Sequence, residues 1–436
     1  MMKKAVQACS ALVHSCASTF HMFRTISRSV DHGHRSVHIL GIETSCDDTG
    51  IAVINEHGIV LGEAQHSQLA THVTMGGIIP PLARFLHEEN IKQVHKDAMR
   101  SAGIHPRQLD AVAVTTRPGL SLSLKVGLTH AKAFCREYSL PMISVHHMEA
   151  HALVVRSCMP VKFPFLVLLV SGGHCQIAVV QGVSDFVLLG STCDDAPGEA
   201  FDKAARRLKL SNMDEYRALS GGAAIERLAR HGDPMAIEFT SPMTKRPDCD
   251  FSFSGLKYSL MKKIMERERE LGIEGDALLP SIPDLCASFQ HALYIHIMKR
   301  VQRAFTFCRR TDLDFGHRLV VSGGVACSLY LRLMLEQLCE RHAVDLFVPP
   351  SKLCSDNGIM IAWNGMEHFR SGGVLVLPDN LDTVESMAKC PLGQDRRKDV
   401  AKEAIPSEKF RLDLDRLMKD SGNIKWQNKS DENYYG

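Results

Sequence analysis

Phe163 to Val180 read FPFLVLLVSGGHCQIAVV, two apolar runs rich in β-branched residues that flank Ser171-Gly172-Gly173-His174. Apolar runs of this length on either side of a glycine pair predict a strand, a tight turn and a returning strand. Glycines tolerate a positive φ and carry no side-chain bulk, so a ligand can approach the backbone closely at this turn. An ordinary hairpin that binds nothing satisfies the same pattern.

A weaker copy of this pattern lies nearer the start of the chain. Within residues 39–55, an apolar run leads through ETSCDDTG into Ile51-Ala52-Val53, where the later copy has Ile177-Ala178-Val179. Both copies then reach a turn and a further apolar run. Internal similarity on this scale predicts two related lobes that face each other across a cleft.

Length and composition limit the possible classes of protein. A chain of 436 residues can form two domains with well-buried cores. The formal net charge is only +2, so a nucleic-acid partner must be met by a local patch of charge. No apolar run approaches the roughly 20 residues needed to span a membrane. The 14 cysteines are irregularly spaced without a C-x-x-C pair, which favours a reducing compartment.

Residues 1–36 differ from the rest of the chain. Five lysines and arginines there are opposed only by Asp31, and serines and short apolar groups lie between them. This composition predicts a mitochondrial transit peptide, and hence a location in the mitochondrial matrix, rather than a secretory signal. A tail without a targeting role is the alternative.

Four segments are predicted along the chain: the transit peptide at 1–36, a first lobe at 37–145, a second lobe with the cleft at 146–373, and a C-terminal extension with a polar tail at 374–436. In the first lobe we expect strands at 37–42, 51–55, 59–64 and 109–115, a helix that carries Arg84 and His87, and a helix at 120–134. In the second lobe we expect the hairpin, helices that start at Pro197 and after Gly222, a long helix at 285–305, a strand from Leu319, and a helix at 359–363.

The sharpest metal signal is the pair His147 and His151. Residues four apart share one face of a helix, so both imidazoles can hold one ion, although such pairs also occur without a metal. A third ligand must come from elsewhere, and Asp356 in a glycine-flanked turn is the best candidate, with helix capping as its alternative role. Glu149 lies about 200° round the helix from either histidine, which argues against a zinc peptidase.

Glycine turns recur in both lobes, at Gly119, Gly172-Gly173, Gly221-Gly222 and Gly323-Gly324. Several such turns beside strands and helices indicate backbone amides that cradle phosphates. The P-loop and Rossmann patterns are both missing from the sequence. Asp202 is a candidate contact for a ribose, with an exposed helix acid as the alternative. The residues by themselves therefore predict a two-lobed α/β protein with a nucleotide cleft and a candidate metal site.

Eight ordered motifs together resemble one enzyme family, the TsaD-type tRNA N6-adenosine threonylcarbamoyltransferases, formerly described as O-sialoglycoprotein endopeptidases. The motifs are GIETSCDDTGIAV (41–53), GGIIPPLARFLH (76–87), HHMEAH (146–151), LLVSGGH (168–174), DDAPGEAFDKAA (194–205), DFSFSGLK (250–257), VVSGGVA (320–326) and SDNGIMIA (355–362). The likeness spans residues 37–370. Together with the basic N-terminal segment, it is strongest to the mitochondrial branch of the family.

The resemblance implies an actin-like ATPase fold of the sugar kinase and Hsp70 superfamily, with duplicated ribonuclease H-like lobes. It implies transfer of the threonylcarbamoyl group from threonylcarbamoyl-AMP to N6 of the adenosine beside the anticodon in tRNAs that read ANN codons. It implies one divalent metal ion, iron or zinc, held by His147, His151 and Asp356. The implied substrate-binding residues are Leu169, Val170, Ser171, Gly172, Gly173, Asp202, Gly222, Glu226, Cys327 and Ser328. No residue is assigned as a general base, and a homodimer is a candidate assembly.

One position departs from the family pattern. Where relatives read G-G-V-x-x-N, this chain has Ser328, which replaces a carboxamide with one shorter hydroxyl. The loss of one hydrogen bond to the nucleoside corresponds to ~1 kcal/mol of binding free energy.

Two other functions are compatible with parts of the sequence: a non-catalytic nucleotide-binding protein of the Hsp70 type, and a metallopeptidase. For tRNA, the candidate contacts are short basic clusters at 206–209, 245–246 and 262–263. Such clusters are also common on solvated faces that bind nothing.

Overall fold

The computed structural model describes residues 36–408 and 411–423. The predicted transit peptide lies outside the described residues except for Ser36, and so does the end of the predicted polar tail. Among the described residues, no helix combines the length and apolar character needed to cross a membrane. The division of the chain into four segments stays a prediction.

The first sheet has five strands in the order β3-β2-β1-β4-β5. Strands β1, β2 and β3 form an antiparallel meander, and β4 and β5 continue the sheet parallel to β1. The strands are β1 (His38–Glu43), β2 (Asp48–Asn55), β3 (Val60–Ser67), β4 (Ala111–Arg117) and β5 (Met142–His146).

The second sheet repeats this arrangement, in the order β10-β9-β6-β7-β8-β11. Strands β6, β7 and β8 form the meander, and β9 and β10 add parallel to β6. The strands are β6 (Phe165–Val170), β7 (Cys175–Gly182), β8 (Asp185–Ser191), β9 (Arg318–Ser322), β10 (Asp345–Phe347) and β11 (Gln394–Asp395). Apart from β11, the two sheets have one topology, so the predicted hairpin, the internal repeat and the duplicated two-lobed fold are confirmed.

Helices occupy most of the remaining described chain. They are α1 (Leu69–Thr74), α2 (Pro80–Ala102), α3 (Ser121–Tyr138), α4 (His147–Leu153), α5 (Pro197–Arg207), α6 (Gly221–Ala229), α7 (Ser254–Leu271), α8 (Ile282–Arg310), α9 (Leu329–His342), α10 (Ser351–Cys354), α11 (Gly358–Arg370), α12 (Arg397–Lys402) and α13 (Leu414–Asn423). The predicted helices are all present, with ends that lie within five residues of the predicted ones except for α11, which continues seven residues further, to Arg370.

Alternation along the two central strands separates the apolar residues into three cores. In β1, Leu40 belongs to a core with α2 and α3, whereas Ile39 points to a core that also contains α4 and α11. In β6, Val167 points to this same core and Leu168 points to a third core beneath α8. One core therefore lies between the two sheets. It contains α4, which carries His147 and His151, and α11, which begins two residues after Asp356.

Helix α11 packs directly on the first sheet although it follows β10 of the second sheet in sequence. The approach is so close that a Cβ on Gly41 would lie 2.3 Å from the amide nitrogen of Ala362. Only glycine fits at this position of β1, because a side chain there would displace the helix backbone. The packing fixes the start of α11, and with it the loop that carries Asp356.

The segment after Gly373 is more structured than its sequence predicts. Leu381 is buried in the core of the first sheet, and Val376 forms an antiparallel β-bridge with Met142. Strand β11 pairs with β8 at the edge of the second sheet. Leu417 of α13 is buried in the core of the second lobe. These elements are two to ten residues long, so each contributes one or two anchoring apolar residues without a periodic pattern.

Candidate metal centre and substrate cleft

The structure brings the three predicted metal ligands together. His147 and His151 lie one turn apart on α4, and Asp356 comes from the loop before α11. Nε2 of His151 lies 2.9 Å and Nε2 of His147 3.5 Å from Oδ1 of Asp356. One potential ligand atom from each residue lies within 4.8 Å of the other two. Histidine nitrogens and a carboxylate oxygen at this spacing fit one divalent cation.

The alternative role of Asp356 as a helix cap is wrong. The N-cap of α11 is the next residue, Asn357, whose side-chain oxygen accepts a hydrogen bond from the amide of Met360 at 2.8 Å. The carboxylate of Asp356 therefore does not cap the helix and faces the two histidines.

Glu43 at the end of β1 lies against the candidate metal ligands, and its part in the site was not predicted from the sequence. Its fully buried carboxylate lies 3.3 Å from Nδ1 of His147 and accepts hydrogen bonds from the hydroxyl of Thr115 and the amide of Ser45. A carboxylate that holds Nδ1 of a histidine leaves Nε2 free to bind a metal. An acid at the end of an otherwise apolar strand was the available signal.

The charges of the two histidines, Asp356 and Glu43 act on one another and set which of these side chains carries a proton. Burial alone would lower the pKa of His147, but the carboxylates of Asp356 and Glu43 raise it to about 9. Burial would raise the pKa of Asp356, yet His147 and His151 hold it well below its ordinary value. Burial and the nearby His147 lower the pKa of His174 to about 4, so His174 is neutral at pH 7. Without a metal, the cluster therefore keeps a proton on His147.

We expect the metal affinity of the purified protein to rise from pH 7 to pH 9, because a cation must displace the proton of His147. The free energy of unfolding of the metal-free protein should fall over the same range. The pKa of His147 is about 9 in the folded protein and 6.5 in the unfolded chain, so the stabilisation from its proton is complete below pH 6.5 and is lost as the pH rises through 9. Chelator competition and thermal unfolding across this range measure both trends. A metal affinity that stays constant with pH would contradict the assignment.

A cavity of about 300 Å³ lies beside the metal centre. Six of the ten predicted substrate-binding residues line it: Gly172, Asp202, Gly222, Glu226, Cys327 and Ser328. The aromatic side chains of Phe201 and Tyr294 form an apolar part of the cavity wall. Ser355 also lines the cavity and is covalently joined to Asp356, so one loop connects the cavity to the metal centre.

The other four predicted substrate-binding residues do not line this cavity. The side chains of Leu169 and Val170 are buried on opposite faces of β6. Ser171 forms a hydrogen bond within the turn, where its amide donates to the carbonyl of His174 at 2.9 Å. Gly173 is exposed at the same turn. A binding role for these residues, as for those that line the cavity, stays a prediction.

Gly172 lines the cavity and Gly323 precedes Gly324, which lines it, and the two glycines serve different purposes. Gly323 has a φ of +101°, and a Cβ there would lie 2.3 Å from the carbonyl oxygen of Val170. Gly172 does not use the positive φ that glycine permits. Instead, no atom lies within 4 Å of the position that its Cβ would take. Gly323 therefore permits the turn, and Gly172 leaves open space above the backbone.

Ser328 joins two elements of the cavity wall. Its hydroxyl donates to Oε1 of Glu226 at 3.2 Å and accepts from the amide of Leu331 at 3.3 Å, as the N-cap of α9. Asparagine caps helices as well as serine does. The departure from the family pattern thus keeps the cap and places a hydroxyl against the carboxylate.

We expect Ser328→Ala to lower the free energy of unfolding by about 1 kcal/mol, because α9 loses its cap. Ser328→Asn should retain wild-type stability, since its side chain can accept the same amide hydrogen bond. Urea denaturation of the three proteins tests this expectation. Equal stability of the alanine and serine proteins would show that the cap contributes nothing.

Other charged residues named from the sequence lie in ion pairs. Glu149 lies 3.7 Å from His368 rather than at the metal centre, in agreement with the argument against a peptidase.

In the basic clusters that were candidates for tRNA contact, Arg207 and Lys209 share Glu268, and Lys262 lies 3.7 Å from Glu266. Paired cations bind RNA phosphates less readily than free ones, so Arg207, Lys209 and Lys262 are weaker candidates for tRNA contact than the sequence indicates.

Two sheets of one topology, a substrate-sized cavity and a His-His-Asp cluster define a two-lobed α/β protein with a candidate metal centre. The chain matches the family described as "TsaD: tRNA N6-adenosine threonylcarbamoyltransferase" over residues 59–363, and it belongs to that family. This confirms the family resemblance found in the sequence, and with it the class of enzyme, a transferase.

Relatives that carry this name align over most of their length. The mitochondrial tRNA N6-adenosine threonylcarbamoyltransferase of Mus musculus is 48% identical over 379 residues, which cover 86% of this chain and 91% of the relative. The Homo sapiens protein of the same name is 47% identical with the same coverage. The tRNA N6-adenosine threonylcarbamoyltransferase of Afipia carboxidovorans is 42% identical over 340 residues, which cover 77% of this chain and 90% of the relative.

Proposed function

We propose that the protein transfers the threonylcarbamoyl group of threonylcarbamoyl-AMP to N6 of the adenosine beside the anticodon, in mitochondrial tRNAs that read ANN codons. Family membership supports the reaction, and the names of the animal relatives support the mitochondrial location. The observation that supports the proposal is that Ser355 lines the cavity and the next residue, Asp356, belongs to the His147-His151-Asp356 cluster, so both features share one loop. A nucleotide-sized space beside a cation site suits a substrate that has both a nucleoside and a phosphate.

The cavity offers suitable groups for each part of threonylcarbamoyl-AMP. Phe201 and Tyr294 present apolar surface to a nucleobase. The carboxylates of Asp202 and Glu226 can accept hydrogen bonds from ribose hydroxyls. The open backbone at Gly172 lets a phosphate approach closely without a steric clash.

His147 through Nε2, His151 and Asp356 would hold the divalent ion. When bound, the ion supplies positive charge to phosphate or carbonyl oxygens. Iron and zinc both accept a His-His-carboxylate ligand set, so we propose one of these two metals. Elemental analysis of the purified protein measures which one is bound.

The reaction needs little covalent help from the protein. The adenine N6 attacks the carbamoyl carbon, the bond from that carbon to the phosphate oxygen breaks, and AMP leaves with the electron pair. The proton lost by N6 ends on the leaving phosphate or in solvent. Because the mixed anhydride is already activated, the main contributions of the protein are orientation and stabilisation of oxyanion charge.

Mass spectrometry of tRNA nucleosides tests the proposed reaction. Purified protein incubated with synthetic threonylcarbamoyl-AMP and unmodified mitochondrial tRNA should produce threonylcarbamoyladenosine. Detectable product excludes a purely non-catalytic nucleotide-binding role. Unmodified nucleosides, from protein that has its metal, would refute the proposal, and a peptide-cleavage assay on the same preparation tests the peptidase alternative.

We also propose that the protein forms a homodimer. Around the start of α2, the apolar side chains of Met75, Ile79 and Phe85 are exposed, with Met75 at 58% and Phe85 at 55%. Exposed apolar clusters of this kind are common at interfaces. Sedimentation should give a dimer for the wild type and a monomer for Phe85→Glu, whereas a wild-type monomer at micromolar concentration would contradict the proposal.

A further inference from the structure

A second cavity, of about 540 Å³, lies in the second lobe and shares no residue with the substrate cavity. It borders α8 at Ile295, Lys299 and Arg303, three residues spaced at four-residue intervals along one face of the helix. Arg300 and Arg411 also line it. Glu408 is the one acid among its lining residues in the described chain, and it accepts a hydrogen bond from Gln302 at 2.6 Å. The cavity therefore has an excess of positive charge.

The two buried arginines of this cavity are held by neutral groups. Arg300 donates to the carbonyl oxygens of Asp250 at 3.1 Å and Met243 at 3.2 Å. Arg303 donates to the carbonyl oxygen of Ile405 at 3.0 Å. A carbonyl satisfies a hydrogen-bond donor without cancelling its charge, so both guanidinium groups remain cations without a directly paired carboxylate among the described residues. Buried charge of this kind is costly unless a counter-ion is bound nearby.

The nearby acids do not supply that counter-ion. The carboxylates of Asp248 and Asp250 lie 2.7 Å and 3.2 Å from the guanidinium of Arg246. Lys299 donates to the hydroxyl of Ser241 at 3.2 Å, and burial together with Arg300 lowers its pKa. Within residues 36–408 and 411–423, no ion pair joins Lys299, Arg300 or Arg303 to a carboxylate.

We propose that this cavity binds a phosphate group. Guanidinium and ammonium donors, with the hydroxyls of Ser241 and Thr244 beside them, match the several acceptor oxygens of a phosphate. The phosphate can belong to a free phosphate compound or to the tRNA backbone, and the second source depends on the proposed function. Arg303 lies nine residues along α8 from Tyr294 of the substrate cavity, about 14 Å at the rise of a helix. Nine residues are two and a half helical turns, so the two cavities border opposite faces of α8.

Lys299→Gln provides the test, since it removes one charge and retains a group that can contact Ser241. Lys402→Gln is the matched control, because Lys402 is exposed on α12 and lies 3.5 Å from Asp399. The probe is pyrophosphate, added to the full-length protein in saturating AMP to occupy the substrate cavity. Thermal unfolding measures binding, because a ligand of the folded state raises the unfolding temperature. We expect Lys299→Gln to bind pyrophosphate about tenfold more weakly than wild type, and Lys402→Gln to match wild type.

Salt dependence of tRNA binding distinguishes the two sources of phosphate. If the tRNA backbone occupies the cavity, Lys299→Gln should reduce the slope of affinity against salt by about one phosphate contact. If only pyrophosphate binding changes, the ligand is a free phosphate compound, and the site is still supported. Equal pyrophosphate affinity of Lys299→Gln and Lys402→Gln overturns the proposal. A failure of the transfer reaction with intact pyrophosphate binding would refute the proposed function and leave this site standing.

Discussion

The His147→Ala, His151→Ala and Asp356→Ala proteins are each expected to lose bound metal and threonylcarbamoyl transfer together. The three ligand atoms lie within 4.8 Å of one another, so each substitution removes one ligand from a shared site. Loss of a supporting residue alone typically costs 10–100-fold in metal affinity, and loss of a direct ligand should cost at least about 100-fold. Metal content by elemental analysis and tRNA modification by mass spectrometry measure the two effects.

Glu149→Gln is the matched control for these three variants. Glu149 lies on the same helix as both histidines, but its carboxylate lies against His368. Metal content and transfer should therefore equal those of the wild type. Full metal occupancy in Asp356→Ala would mean that the third ligand is a different residue, even if transfer were lost.

Glu43→Gln is expected to weaken metal binding by about 10–100-fold while the protein stays folded. Glutamine has the size of glutamate: its carbonyl oxygen can still accept the hydrogen bond of the Ser45 amide, and its amide group can donate to the hydroxyl of Thr115. It lacks the negative charge beside His147, so the imidazole is a weaker ligand and its pKa falls towards the ordinary value. Metal titration monitored by chelator competition gives the affinity.

Glu63→Gln is a suitable control for Glu43→Gln. Glu63 lies on β3 of the same sheet and pairs with Lys352, away from the histidines. Its substitution should leave metal affinity unchanged. A Glu43→Gln protein that binds metal as tightly as Glu63→Gln would show that Glu43 serves the fold and not the metal centre.

Most of the fold could be predicted from the sequence because its signals are local. The apolar runs on either side of Gly172-Gly173 specify β6 and β7, and their register from Phe165↔Val180 to Val170↔Cys175 follows from the short turn. The copy at residues 39–55 carries the same information for β1 and β2. The segment after Gly373 escaped prediction because its anchoring residues, such as Leu381 and Leu417, are single contacts with distant helices and sheets.

The candidate site was predictable where its spacing is local and where a family motif marks it. His147 and His151 stand out because four residues make one helical turn. Asp356 lies 205 positions from His151, so neither periodicity nor spacing joins them, and the signals were its glycine-flanked turn and the family motif. Glu43 is 104 positions from His147 and closes a strand as an ordinary polar residue would. The pairing of Arg207 and Lys209 with Glu268 was hidden for the same reason, because charge partners distant in sequence leave no local pattern.

The packing of α11 on the first sheet affects the order in which the chain can acquire structure. Residues 38–146 contain all five strands of that sheet, yet one of its faces is covered by residues 358–370. A ribosome or a membrane translocator that delivers the chain from its N-terminus releases those strands long before their cover. Ile39, Ala52 and Ala113 then remain exposed to solvent and to chaperones until the last fifth of the chain arrives. A nonsense mutation before residue 358 therefore disables both halves of the protein, including a sheet whose own codons are intact.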